Sequence, residues 1–238
     1  MRPRLVNGEI YHIYNRGTDR RTIFMDDKDR FRFVHSLFES NNSESVPKFY
    51  GYVVRQQFSE VGLPKIIPKI DRGPRKFIVE VLAFCLMPNH FHLLVRQRTE
   101  RGISKFMQKF GTGYTNYFNV KHERSGNLFQ GKFKAVHISG DAQFLFIPFY
   151  IHSNPLDLKF PEWREGGVRN MKEALNYLKK YRWSSFPDYI GIKNFPSVTQ
   201  RDFLSEYFGR ESGYLTSYKS WLARLEEDWG ERKGITIE

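Results

Sequence analysis

The chain has 238 residues, 40% hydrophobic, 16% aromatic and 27% charged with the charges well mixed, which excludes a largely disordered chain and allows one sizeable domain with at most a small appendage. Lys and Arg outnumber Asp and Glu by 38 to 26, a net charge of +12 that favours a polyanionic partner, since each cation set against a phosphate releases a condensed counterion. The one cysteine, Cys85, excludes a disulfide framework and reads as a small core residue; no signal-peptide core and no bilayer-length apolar run is present, so a soluble cytoplasmic protein is expected.

In chain order, "EIYHIYNRG" (9–17) has strand composition and closes on an Asn-Arg-Gly turn. From Asp26 or Asp27, "DDKDRFRFVHSLFES" sets Phe31, Phe33/Val34 and Leu37/Phe38 at helical spacing behind an acidic first turn. Residues 49–76 contain a possible strand, "FYGYVV", and then a Pro-rich basic stretch that reads as an exposed loop. "KFIVEVLAFCLM" (76–87) and "HFHLLVRQ" (90–97) form two strands around Pro88-Asn89, an antiparallel hairpin. Over 102–122, Ile103, Phe106, Met107, Phe110, Tyr114 and Tyr117/Phe118 make one apolar helical stripe, with Lys105, Lys109, Thr112 and Asn116 opposite. A loop and last strand follow at 124–139, then a helix over 140–155 ended by Pro155. Beyond "YRWSSFPDYIG" (181–191), two amphipathic patterns at about 199–208 and 214–227 predict helices packed on the domain. The order predicts an α+β fold, an antiparallel sheet with helices packed on it, as residues 1–190, followed by a helical C-terminal extension, 191–238.

Two histidines separated by one phenylalanine stand out in "CLMPNHFHLLV". Strand geometry sends His90 and His92 to one face and Phe91 to the other. The pair reads either as two core histidines or as two imidazole ligands on one ion. Tyr150 and Asn154, four apart on a helix, share a face; they offer a phenolic oxygen and an amide oxygen, or else a core-edge tyrosine and an ordinary helix stop before proline.

The ordered set "YHIYNRG", "DRFRFV", "MPNHFHLLV", "GNLFQGKFKAV", "YIHSNP" and "WSS" resembles the HUH single-strand DNA transposases, most of all the REP-associated tyrosine transposases of the IS200-like group, over about residues 8–190. The resemblance implies a ferredoxin-like domain that cuts single-stranded, hairpin-flanked DNA as a monomer or homodimer. It implies one divalent ion, Mg²⁺ or Mn²⁺, on His90, His92 and Asn154, although imidazoles by themselves suit Zn²⁺, Mn²⁺ or Fe²⁺ better than Mg²⁺. Tyr150 would be the nucleophile, leaving a 5′-phosphotyrosine and a free 3′-OH; a phenol with an ordinary pKa of about 10 needs such help. Pro148 within the tyrosine helix, Phe149 beside the nucleophile and the 49–76 insertion depart from the family pattern. Arg16, Arg124, Phe129, Lys132, Lys134 and the basic 65–76 loop are candidate DNA contacts. Two other readings stand beside this one: a catalytically retired nucleic-acid-binding protein derived from a transposase, and an HUH nuclease of the replication-initiation or relaxase type.

Overall fold

Alternation along four strands divides the molecule into two packed faces. The computed structural model describes residues 3–43 and 75–225. Strand β1 (Ile10–Arg16) lies between β3 (His90–Gln97) and β4 (Lys134–Ile138), and β2 (Val79–Met87) flanks β3, giving the order β2-β3-β1-β4 with every pair antiparallel. Helix α1 (Asp27–Ser40) joins β1 to β2, and α2 (Gly102–Lys121) joins β3 to β4. Among the described residues this β-α-β-β-α-β succession with that strand order is the ferredoxin-like arrangement that the family resemblance implied. Strand β2 begins at Val79 rather than at 76, because the amides of Ile78 and Val79 donate to the side-chain oxygen of Asn41 at the end of α1.

One face packs Tyr11, Ile13, Phe91 and Leu93 against Phe33, Phe106 and Phe110 of α1 and α2. Asp26 caps α1 by accepting from the Asp29 amide at 2.9 Å. The expected stripe of α2 is buried and its Lys105, Lys109, Thr112 and Asn116 are exposed. Phe31 departs from expectation: it is 40% exposed at the margin of the α1 stripe, edge-on to Trp183 at 5.0 Å with the Arg182 guanidinium above it.

The other face is covered by α3 (Asp141–Ser153), which carries Pro148. Pro155 does not stop helical structure; it enters a 3-10 turn, Asn154–Leu158, in whose first turn a missing N–H is tolerated. There follow α4 (Trp163–Gly166), α5 (Met171–Lys180), α6 (Phe186–Tyr189), α7 (Asp202–Tyr207) and α8 (Arg210–Arg224). Helix α5, which the sequence reading passed over, is capped by Asn170, whose side chain accepts from the Glu173 amide. Helix α8 starts four residues before the expected 214, at the left-handed Gly209 and with Gly213 so close to Phe208 that an added Cβ would meet the Phe208 carbonyl at 2.0 Å. Leu204, Phe208, Tyr214, Tyr218 and Leu222 share one core with α3. The expected "FYGYVV" strand and most of the 49–76 insertion lie outside the described residues, as does 226–238. Among the described residues no helix is long and apolar enough to cross a membrane.

Candidate active site

Strand register assembles the site before any helix adds to it. Tyr14 of β1 stands opposite His92 of β3 and Lys134 of β4, while Arg16 stands opposite His90. Side chains two apart share a face, so His12, Tyr14 and Arg16 join His90, His92 and Lys134 on the side covered by α3. Phe91 points the other way, 5.0 Å from Phe33 in the α1/α2 core. The histidine rings are 5.0 Å apart and nearly perpendicular. His92 is fully buried and His90 half-buried at the strand's start.

His12 is part of this cluster, although the sequence reading missed it. Its Nε2 lies 2.9 Å from Nδ1 of His92, and both rings are inaccessible to solvent. Burial pushes the pKa of His12 down to about 3. Burial, then the neighbouring His12, His90 and Arg164, hold His92 well below 6.5, so both rings are neutral at physiological pH.

Helix α3 lays Tyr150 across these rings, edge-on to His92 at 5.8 Å and to His12 at 6.1 Å, with Phe146 stacked on it at 5.8 Å. Tyr150 is only 4% exposed. A second residue unforeseen in the sequence, Arg164 of α4, donates to the Tyr150 hydroxyl at 3.4 Å and to Oδ1 of Asn154 at 3.3 Å. Asp157 holds that guanidinium through two bonds of 2.7 and 2.8 Å. Burial alone would lower the Arg164 pKa, but Asp157 and Tyr150 outweigh it and the net shift is upward. Asn154 is buried, and its Nδ2 donates to the Tyr150 carbonyl at 2.8 Å. Tyr150 and Asn154 therefore do share a face, joined by a guanidinium as well as by helical spacing.

The histidine pair suits a divalent cation. His92 Nε2 is buried and has no hydrogen-bond partner among the described residues, as expected of a nitrogen kept for a ligand. His90 Nδ1 lies 2.7 Å from Oδ1 of Asn89, an oxygen that only accepts, so His90 carries its proton on Nδ1 and its lone pair on Nε2. Among the described residues no three His, Cys, Asp or Glu side chains are placed to hold a metal together. A cation here would thus add oxygens to two imidazoles, and Asn154 Oδ1 keeps a second lone pair beside the one Arg164 occupies.

The candidate DNA contacts fall into separate places. Arg16 and Lys134 are exposed on the histidine face, and Arg16 donates to the side chain of Gln130. Phe129 and Lys132 line an open groove of about 600 Å³ on the opposite side of the sheet, with Asn15, Thr112 and Asn116. Phe129 is half-buried there, edge-on to Phe91 at 5.7 Å. Arg124 is turned to the end of α2, donating to Asn119 at 2.8 Å with its guanidinium 5.7 Å from the Phe118 ring.

The family described as "Transposase IS200 like" matches residues 6–154, more than half of the chain. The protein belongs to the IS200-like transposase family. The matched span of this transposase starts just before β1 and stops on Asn154, so it takes in His12, His90, His92 and Tyr150 but not Arg164 or the C-terminal helices. No curated protein matches the chain. A solved structure of a REP-associated tyrosine transposase bound to a REP hairpin is similar with a TM-score of 0.49 and 13% identity, covering 82% of this chain and 88% of that one.

Proposed function

We propose that this IS200-like transposase is a metal-dependent single-stranded DNA endonuclease and strand transferase of the REP-associated kind, acting in the cytoplasm on hairpin-flanked DNA with Tyr150 as nucleophile. The observation that carries the reading is the meeting of three elements at one point: a phenol from α3 against the paired imidazoles of β3, with a guanidinium at its oxygen. In this reaction the Tyr150 oxygen bonds to the scissile phosphorus as the bond to the 3′ oxygen breaks. The phenolic proton passes by way of solvent to the departing oxygen, leaving a 5′-phosphotyrosine and a 3′-OH. The new ester keeps the energy of the old one, so attack by a 3′-OH rejoins the strand without ATP. Arg164 places positive charge where the phenol oxygen and phosphate gain negative charge, and the buried site keeps that charge little screened. His90, His92 and Asn154 would hold Mg²⁺ or Mn²⁺, which when bound supplies charge neutralisation at the phosphate.

Labelled hairpin oligonucleotides from DNA flanking the gene, mixed with protein and Mn²⁺ or Mg²⁺ and run on denaturing gels, test this reading. A slowly migrating covalent adduct is expected with the wild type, and none with Tyr150→Phe, with His90→Ala or without metal. Cleavage that survives Tyr150→Phe would move the nucleophile elsewhere. Tight binding without cleavage under any metal would favour the binding-only protein.

A further inference from the structure

The contact between His12 and His92 constrains where protons sit. Two neutral imidazoles whose nitrogens lie 2.9 Å apart share one proton between them. If His12 Nε2 donates, His92 carries its own proton on Nε2 and cannot bind a cation there. If His92 Nδ1 donates, Nε2 of His92 is a bare lone pair and His12 carries its proton on Nδ1. The two outer nitrogens, His92 Nε2 and His12 Nδ1, are both buried and without a hydrogen-bond partner among the described residues, so no other group in the fold settles the choice. The adjacent ligand provides the precedent: His90 has Nδ1 tied to an oxygen that can only accept, and its lone pair is therefore on Nε2.

From this we infer that His12 is a positioning residue for the cation site: it accepts from His92 Nδ1 and so presents Nε2 of His92 to the ion. The inference rests on the metal reading of the histidine pair given above. Each histidine of the pair then has the same construction, Nδ1–H held by a neutral acceptor and Nε2 turned to the cation. An imidazole suits the role at a site inaccessible to solvent, because it accepts a proton bond without burying an anion. The placement of His12 follows from sheet parity: one strand over from His92, it shares the face of Tyr14 and Arg16.

The test measures proton position and cation affinity, with no DNA present. Two-bond ¹H–¹⁵N spectra of the Mg²⁺-saturated wild type should show His92 and His12 both protonated on Nδ1. Mn²⁺ titration followed by electron paramagnetic resonance should show binding weakened roughly 10- to 100-fold in His12→Phe, which offers no acceptor, and largely restored in His12→Gln, which does. His92 protonated on Nε2 in the loaded protein would overturn the inference, as would unchanged affinity in His12→Phe. A His12→Gln variant as weak as the Phe variant would also overturn it, by assigning the loss to packing. These outcomes stay distinct from failure of the metal reading itself, which would show as no Mn²⁺ binding by the wild type, the same as His90→Ala. Were His12→Phe to misfold, the wild-type spectra alone still decide the proton's place.

Discussion

Arg164 joins groups that the sequence holds apart. It reaches both the Tyr150 hydroxyl and the Asn154 amide oxygen while Asp157 fixes its fork from behind. If Tyr150 is the nucleophile proposed above, removing one preorganised donor from its oxygen costs on the order of 100-fold in rate, so Arg164→Gln should slow adduct formation by about that much in single-turnover gels while leaving oligonucleotide binding nearly intact. Arg164→Lys should recover only part of the loss, because an ammonium cannot span both oxygens in the planar geometry of the fork. A different residue bears on stability. Asp29 is inaccessible to solvent, yet it accepts from the Met25 amide, the Tyr117 hydroxyl, Lys121 and His122. Asp29→Ala leaves the Met25 amide and the Tyr117 hydroxyl without this acceptor while Lys121 keeps Asp26, and urea unfolding should register a loss of roughly 1–3 kcal/mol.

Besides packing on the sheet, helix α3 is hydrogen-bonded to α8 and to Ser185 just before α6. His152 Nδ1 meets the Tyr214 hydroxyl at 2.6 Å, its Nε2 meets Ser185 at 2.7 Å, and Ser153 meets the Tyr218 hydroxyl at 2.5 Å. Tyr218→Phe should cost about 1–2 kcal/mol in urea, since it leaves the buried Ser153 hydroxyl without that bond. Burial pushes His152 from 6.5 down to about 3. Between those values the unfolded chain binds a proton that the folded chain refuses, so stability is full above pH 6.5 and falls as the pH drops toward 3. The urea midpoint should therefore decline on acidification through this window, with a shallower slope in His152→Gln. These contacts also show what the sequence could reveal. Strand parity in "HFHLLV" placed both histidines on one face, and the α2 stripe matched its buried residues, because period alone determines which side is covered. His12 was legible by the same parity in "YHIYNRG", once β1 was known to lie beside β3. Arg164 was not, because its role depends on a turn at 154–158 that brings α4 back over Tyr150, and local spacing carries no trace of that return.

Charge on the whole molecule is unevenly useful. The net of +12 predicts salt-sensitive DNA binding, with log affinity falling by about 0.7 per phosphate neutralised for each unit of log salt on single strands. Lys134 stands on the histidine face, one strand beyond Tyr14, so Lys134→Ala should reduce that slope by roughly 0.7 in filter-binding titrations across salt. The clasp between α3 and α8 also sets an order of events during synthesis. Ser153 and Tyr218 are 65 residues apart, an interval of about 3–13 s at a ribosomal pace of about 5–20 residues per second. Through that interval the nascent chain carries its histidines and its tyrosine without the helix that fixes one against the other. A chain that stops before Tyr218 would therefore carry the site residues while Ser153 of the tyrosine helix lacks its partner hydroxyl.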